Sequence, residues 1–276
     1  MSARLFNSRF SLPYLLVAIA VAASLAVAGC GDSEDGVSAD EAVSAALTKA
    51  ATITSGNADL KASVLTGSLP PSFDIVGGGP FDTEAKGGAA YDLDLTIQVA
   101  GTDQLVGFAA VDGQSYVKID DKAAEVDSKA SGGLDPASIK GFIDSLDQYV
   151  SGAEQVEDRQ EGGETLKVYN VDIDVKKLLA DAKENNDGIA ELSVPGLGTA
   201  DDLEKSVSDA TATIAVAPDG FPRSLSINVP ISRGSTEAGV RATLTLTEIN
   251  ESVTIEKPSN VVDRSELGGV AELLGF

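Results

Sequence analysis

The 276-residue chain carries 43 acidic against 20 basic residues, a formal charge of −23, with no histidine, no tryptophan and one cysteine. A surface this acidic repels phosphate backbones and anionic head groups, which excludes nucleic acid as a partner. Without histidine or a spare thiol the chain also lacks the commonest general base, metal ligand and nucleophile, so composition points to a binding protein rather than an enzyme and implies no cofactor or metal.

Arg4 and Arg9 open the chain, an apolar run follows from Leu12 to Ala28, and Val27-Ala28-Gly29-Cys30 closes it. Charge, apolar middle and small residues in that order read as an export signal over residues 1–29. An uncleaved membrane anchor is the competing reading, since the run approaches the roughly 18 residues that span a bilayer. The tetrapeptide resembles the bacterial lipobox, which implies that Cys30 takes a diacylglycerol and becomes the first mature residue. Loss of Arg4 and Arg9 would take the charge from −23 to −25, leaving attachment to the cytoplasmic membrane to the lipid anchor.

Residues 30–37 are small and acidic and read as a flexible tether, leaving 38–276 as a single domain of a length that all-β folds reach alone. Ser38 stands three residues before Glu41, the capping-box spacing, and opens a helix from Ala39 to Ile53 that Gly56-Asn57 stops. Leu60, Ala62 and Val64 then alternate with polar residues, a strand that the resemblance given below runs from Asn57 to Gly67. Pro70-Pro71 and Gly77-Gly78-Gly79-Pro80 predict a long turn with no strand ladder.

Ala85, Gly87, Ala89, Tyr91, Leu93, Leu95, Ile97 and Val99 occupy every odd place of the next stretch, a sheet with one dry and one wet face. Asp112-Gly113 marks a two-residue hairpin, so 84–120 reads as three antiparallel strands. Asp135-Pro136 opens a helix whose stripe includes Phe142 and Leu146 and which lies against the dry face. A hairpin at Gly162-Gly163, a short helix over Val175–Ala182, a loop over 188–200 and a further helix over Asp201–Ser208 follow. Strands return at 211–216, 223–229 and 240–249, the last with Leu244 and Leu246 on its dry side, and there the sheet is expected to close. The tail from Asn260 to Phe276 reads as a weak amphipathic helix.

Ser115-Tyr116-Val117-Lys118 has the letters of a Ser-x-x-Lys acylation motif, but on a strand residues three apart face opposite sides, and the companion triplets are missing. The Asp92/Asp94, Asp172/Asp174 and Asp201-Asp202 pairs lack a calcium-loop spacing and read as solvated face, and Asn250-Glu251-Ser252 means little in a bacterial chain. The odd positions 85, 87 and 89 and the inward candidates 107 and 109 are Ala or Gly, which leave volume on the dry face for something greasy or permit close helix packing.

The lipobox, the helix after a short tether, the Asn57 to Gly67 strand, the Asp112-Gly113-x-x-Tyr116-Val117-Lys118 hairpin and a closing strand ending in Val253-Thr254-Ile255-Glu256-Lys257-Pro258 together resemble the LppX/LprAFG lipoproteins of actinobacteria. The resemblance implies an α+β fold: an antiparallel β half-barrel, as in the similar LolA and LolB proteins, with short helices over a concave apolar face that carries acylated lipids or glycolipids. On that reading the chain is a monomeric, lipid-anchored, extracytoplasmic carrier, not an enzyme, with an unidentified protein partner. Its cavity candidates are Leu60, Val64, Tyr91, Leu93, Leu95, Ile97, Val99, Phe142, Leu146, Leu244 and Leu246. The alternative is an envelope sensor or protein-interaction module of the same fold without lipid cargo.

Overall fold

The computed structural model describes residues 37–66, 73–99, 102–126, 148–174, 176–177, 193–194, 198–199, 207, 210–233 and 236–268. Cys30, the tether up to residue 36, the predicted helix carrying Phe142 and Leu146, and all but residues 176–177 of the helix predicted over Val175–Ala182 lie outside them.

Ser38 caps the helix α1 (Ala39–Ala50) reciprocally: its Oγ accepts from the Glu41 N–H at 3.2 Å, and Glu41 Oε2 accepts from the Ser38 N–H at 3.0 Å. Two otherwise unmet donors of the first turn are thereby satisfied. The helix ends three residues short of the expected Ile53, because the chain tightens into a turn in which the Thr52 and Ile53 N–H groups donate to Lys49 and Ala50. Gly56 and Asn57 belong to the following strand rather than to a stop.

In chain order the strands are β1 (Ser55–Thr66), β2 (Phe73–Asp82), β3 (Ala90–Val99), β4 (Thr102–Val111), β5 (Gln114–Ile119), β6 (Lys122–Val126), β7 (Val150–Gln155), β8 (Arg159–Glu161), β9 (Glu164–Ile173), β10 (Ser193–Val194), β11 (Gly198–Thr199), β12 (Ala210–Val216), β13 (Pro222–Arg233) and β14 (Thr236–Thr247). One antiparallel sheet runs β6-β5-β4-β3-β2-β1-β14-β13-β12-β9-β7, with β8 beside β9, while β10 and β11 form a separate short hairpin inside the stretch expected as loop. Two meanders are thus joined where β1 meets β14, from Asn57 opposite Thr247 to Thr66 opposite Ala238. The last strand therefore sits in the middle of the sheet and does not close it. The sheet ends at β6 on one side and at β7 and β8 on the other, an open half-barrel.

Local turn chemistry explains the tight connections. Asp112 and Gly113 have φ of 53° and 78°, both positive as a type I′ hairpin requires. Gly162 and Gly163 repeat the pattern at 61° and 87°.

Several expectations are overturned. The Gly77-Gly78-Gly79-Pro80 stretch is strand, not turn: it pairs with β1 residue by residue, Gly77 opposite Leu60 and Gly79 opposite Ala58. Its neighbours come so close that a Cβ on Gly78 would sit 2.0 Å from the Ala58 carbonyl oxygen, so only glycine fits there. Ala85, Gly87 and Ala89 lie in the turn before β3 rather than on its dry face, since Gly87 takes a φ of 105°. The chain after Thr247 leaves the sheet, so 253–258 is no strand, and the described part of the tail holds a 3-10 turn, Arg264–Leu267, while residues 269–276 of the predicted helix lie outside the described residues. Of the helix expected over Asp201–Ser208, the described residue Val207 instead bridges Ile231 of β13.

Candidate functional site

Register decides which side chains share a face. Leu225, Leu244, Leu60, Gly77, Leu95, Val106 and Ile119 stand opposite one another in turn across β13, β14, β1, β2, β3, β4 and β5. Rows parallel to this one carry Ile227, Ala242, Ala62, Ile75 and Ile97 on one side and Leu246, Ala58, Leu93, Phe108 and Val117 on the other. This is one apolar inner face, and α1 lays Val43 and Leu47 on its β7–β13 part beside Val171, Ile214 and Ile227. Burying such a face contributes about 25 cal/mol for each Å² removed from water.

Burial along the face is uneven. Leu95 is 2% exposed, and Val64, Tyr91 and Ile97 are buried as well, with Leu246 at the margin. Leu60, Leu93 and Leu244 are only partly buried, as are Leu225 and Phe81, which the sequence pattern did not single out. Leu60, Leu244 and Leu225 are cross-strand neighbours, and the next position along the row is Gly77, which has no side chain. A partly open apolar stripe therefore lies at the centre of the sheet between two well-packed flanks. Val99 stands in register between Phe73 and Thr102.

Gly107 and Ala109, expected to face inward, face outward. Every residue from Val106 to Ala110 is buried, so the alternation that would reveal the phase of β4 is erased. The stem of Lys118 lies over Gly107, and Tyr116 stands opposite Ala109. Ser115 and Lys118 fall on opposite faces of β5, which removes the Ser-x-x-Lys geometry.

The carboxylates read as solvated are partly engaged. Lys118 Nζ pairs with Asp92 and, at 2.7 Å, with Asp94. Burial pulls the Lys118 pKa down, but the hydrogen bonds and charges of Asp92 and Asp94 outweigh it and hold the ammonium above its ordinary range. Asp174 Oδ1 accepts from the Lys177 N–H at 2.9 Å, and Asn250 Oδ1 accepts from the Thr54 N–H at 2.8 Å. Among the described residues no cluster of three or more Asp, Glu, His or Cys side chains is placed to hold a metal.

Beside the C-terminal end of α1 sits a polar cluster that periodicity could not reveal. Arg223 Nη2 donates to Asp219 Oδ2 at 2.8 Å and Nε to Glu164 Oε2 at 3.3 Å, while Lys49 Nζ donates to the Asp219 carbonyl and lies 4.5 Å over the Phe221 ring. Its members come from α1, β9, the β12–β13 turn and the start of β13, with Lys49, Glu164 and Arg223 far apart in sequence.

The chain resembles LprF and LppX. The likeness to the crystal structure of LprF from Mycobacterium bovis has 11% identity, covers 80% of this chain and 96% of that one, and has a TM-score of 0.47. For the Mycobacterium tuberculosis lipoprotein LppX the values are 16%, 81%, 100% and 0.45. A DUF1329 family protein from Desulfovibrio piger is more distant, at 8% identity and a TM-score of 0.28. No protein-family model and no curated protein matches the chain.

Proposed function

We propose that the protein is a lipid-anchored, extracytoplasmic binding protein that holds the acyl chains of a lipid or glycolipid on the inner face of its half-barrel. On this reading residues 1–29 are the export signal, Cys30 carries the anchor, and 38–276 is the binding domain. The observation that carries it is the Leu60–Leu244–Leu225 row, partly open to solvent in the middle of a face whose flanks are buried. Large apolar side chains left partly open beside a glycine offer room and grease together, the properties an acyl chain needs. The resemblance to lipoproteins stated from the sequence agrees with this reading.

The lipidated full chain, purified in detergent and released for native mass spectrometry, is expected to retain non-covalent acyl lipid. Leu244→Trp fills the open row and should displace that lipid while thermal unfolding shifts little. At Leu95 the same replacement would overpack a filled site, at about 1–3 kcal/mol. A parent that carries no lipid but captures a defined envelope protein would overturn the carrier in favour of an interaction module.

A further inference from the structure

We infer that Leu267 is a displaceable plug: it fills one end of the apolar inner face with the protein's own side chain, and the end of a long acyl chain takes its seat when the segment that carries it swings away. The inference rests on the carrier reading above and adds to it the length of chain that the site accepts. Leu93, Phe108, Val117 and Ala124 stand opposite one another across β3, β4, β5 and β6 on the inner face. Leu267 is 5% exposed and shares one apolar cluster with Phe108, Val117 and Ala124, against which the partly buried Leu60 and Leu93 also pack. Lys122, paired with the inward-facing Ile119, donates from Nζ to the Glu266 carbonyl at 3.3 Å, which sets the Arg264–Leu267 turn on the inner side of β6. The seat suits hydrocarbon because a leucine already occupies it, and Leu93 and Leu60 join it to the open row.

The segment that bears the plug is lightly held. From Asn260 to Gly268 only Leu267 is buried; Val262 is half-buried and the rest are exposed. Its fastenings lie at the rim: the Ala123 N–H donates to the Asn260 carbonyl at 2.9 Å, the Val262 N–H to the Ala123 carbonyl at 2.8 Å, and Asn260 Nδ2 to the Asp121 carbonyl at 2.9 Å. Water can replace such bonds at small net cost, and a segment with so little buried apolar surface opens far more readily than the whole fold. Opening into water would leave Phe108 and Val117 uncovered, whereas an acyl end that enters as Leu267 leaves restores the burial, so a ligand that reaches the seat favours the open strap. Reach selects the ligand. Five strand spacings of about 4.8 Å, roughly 24 Å along the sheet, separate Leu60 on β1 from Ala124 on β6, so a short chain stays on the leucine row and only a long one meets the plug.

Two probes of one head group, dioleoylglycerol and dioctanoylglycerol, test this on the lipidated full chain in a steroidal detergent, which has no acyl chain of its own. Native mass spectrometry counts the bound probe, and hydrogen–deuterium exchange over residues 260–268 reads the strap. Both probes should bind the parent, and only dioleoylglycerol should speed that exchange, by about tenfold, the equilibrium weight of burying one leucine-sized group. Lys122→Cys and Glu266→Cys, joined by a flexible bismaleimide, hold the turn on β6 and should lower dioleoylglycerol occupancy by a similar factor while dioctanoylglycerol is unchanged. Leu267→Ala empties the seat beforehand and should raise dioleoylglycerol occupancy alone; the exchange and the tether leave Leu267 in place and serve if that variant does not fold. Exchange that bound dioleoylglycerol leaves unchanged, a tethered protein that takes it as the parent does, a folded Leu267→Ala that takes no more of it, or a parent that takes only dioctanoylglycerol overturns the plug while the carrier stands. A parent that binds neither probe overturns the carrier and this inference together.

Discussion

Lys118 shows how a single side chain spans two roles on the outer face. Its stem covers Gly107, where a Cβ would meet Lys118 Cε at 2.2 Å, and its ammonium joins Asp92 and Asp94, which stand two apart on β3. With its side chain only 17% exposed, the pair is screened less than an open surface bridge, so Lys118→Met is expected to cost about 1 kcal/mol in chemical denaturation. Because its folded pKa is raised, the contribution is complete below the ordinary lysine value and is lost as pH rises through the folded one. Parent and Lys118→Met should therefore converge in thermal midpoint as the pH is carried above 10.5, and parallel curves would refute the assignment. Gly78→Ala, which sets a Cβ 2.0 Å from the Ala58 carbonyl, should destabilise by more than about 3 kcal/mol, since a backbone oxygen cannot move aside within a paired strand. That strand was illegible in the sequence for the same reason. Gly-Gly-Gly-Pro reads as turn until the carbonyls that crowd it are known, and those belong to β1 and β3, whereas the Ser38–Glu41 cap and the Asp112-Gly113 hairpin involve only neighbours and could be read directly.

Among the elements, the segment after β14 departs furthest from its local pattern. It begins on the outer face, where Lys257 Nζ lies 5.4 Å over the Tyr116 ring and donates to Gln114 Oε1 at 3.2 Å. At the free edge of β6, the Ala123 N–H donates to the Asn260 carbonyl at 2.9 Å and the Val262 N–H to the Ala123 carbonyl at 2.8 Å. It ends on the inner face, where Leu267 is buried with Phe108, Val117 and Ala124. An uncovered edge strand is a template for pairing with another chain, and this strap occupies it. Val262→Pro removes the N–H that bonds Ala123 and should free the edge, giving concentration-dependent association in light scattering, while the parent stays monomeric. Leu267→Ala should cost about 2–3 kcal/mol in denaturant unfolding as the inner cluster loses a filled site. The apolar residues of the tail were visible, but the edge they serve is more than a hundred residues away in sequence. The phase of β4 was hidden by a related effect: Lys118 and Tyr116 bury its outer side as thoroughly as the core buries its inner one.

On the proposed reading a very acidic protein is held next to a surface it does not favour. With a formal charge of −23 over the full chain, the protein gains nothing from anionic lipid head groups, so on that reading contact with the membrane would come from a covalent anchor. A single acyl chain gives only marginal attachment, each buried CH₂ adding about 0.8 kcal/mol, whereas two or three chains hold stably. Cys30 is the only thiol in the chain, so no other side chain can substitute for it as the thioether donor. Cys30→Ser is therefore expected to move the protein from the membrane pellet to the soluble or unprocessed fraction, with loss of the covalent lipid mass in intact mass spectrometry. Acyl cargo should be retained by any soluble, processed Cys30→Ser material, because the Leu60–Leu244–Leu225 row does not depend on the anchor. A variant that still sediments with membranes and is cleaved like the parent would show that residues 12–28 hold the protein as a span, and that Cys30 anchors nothing.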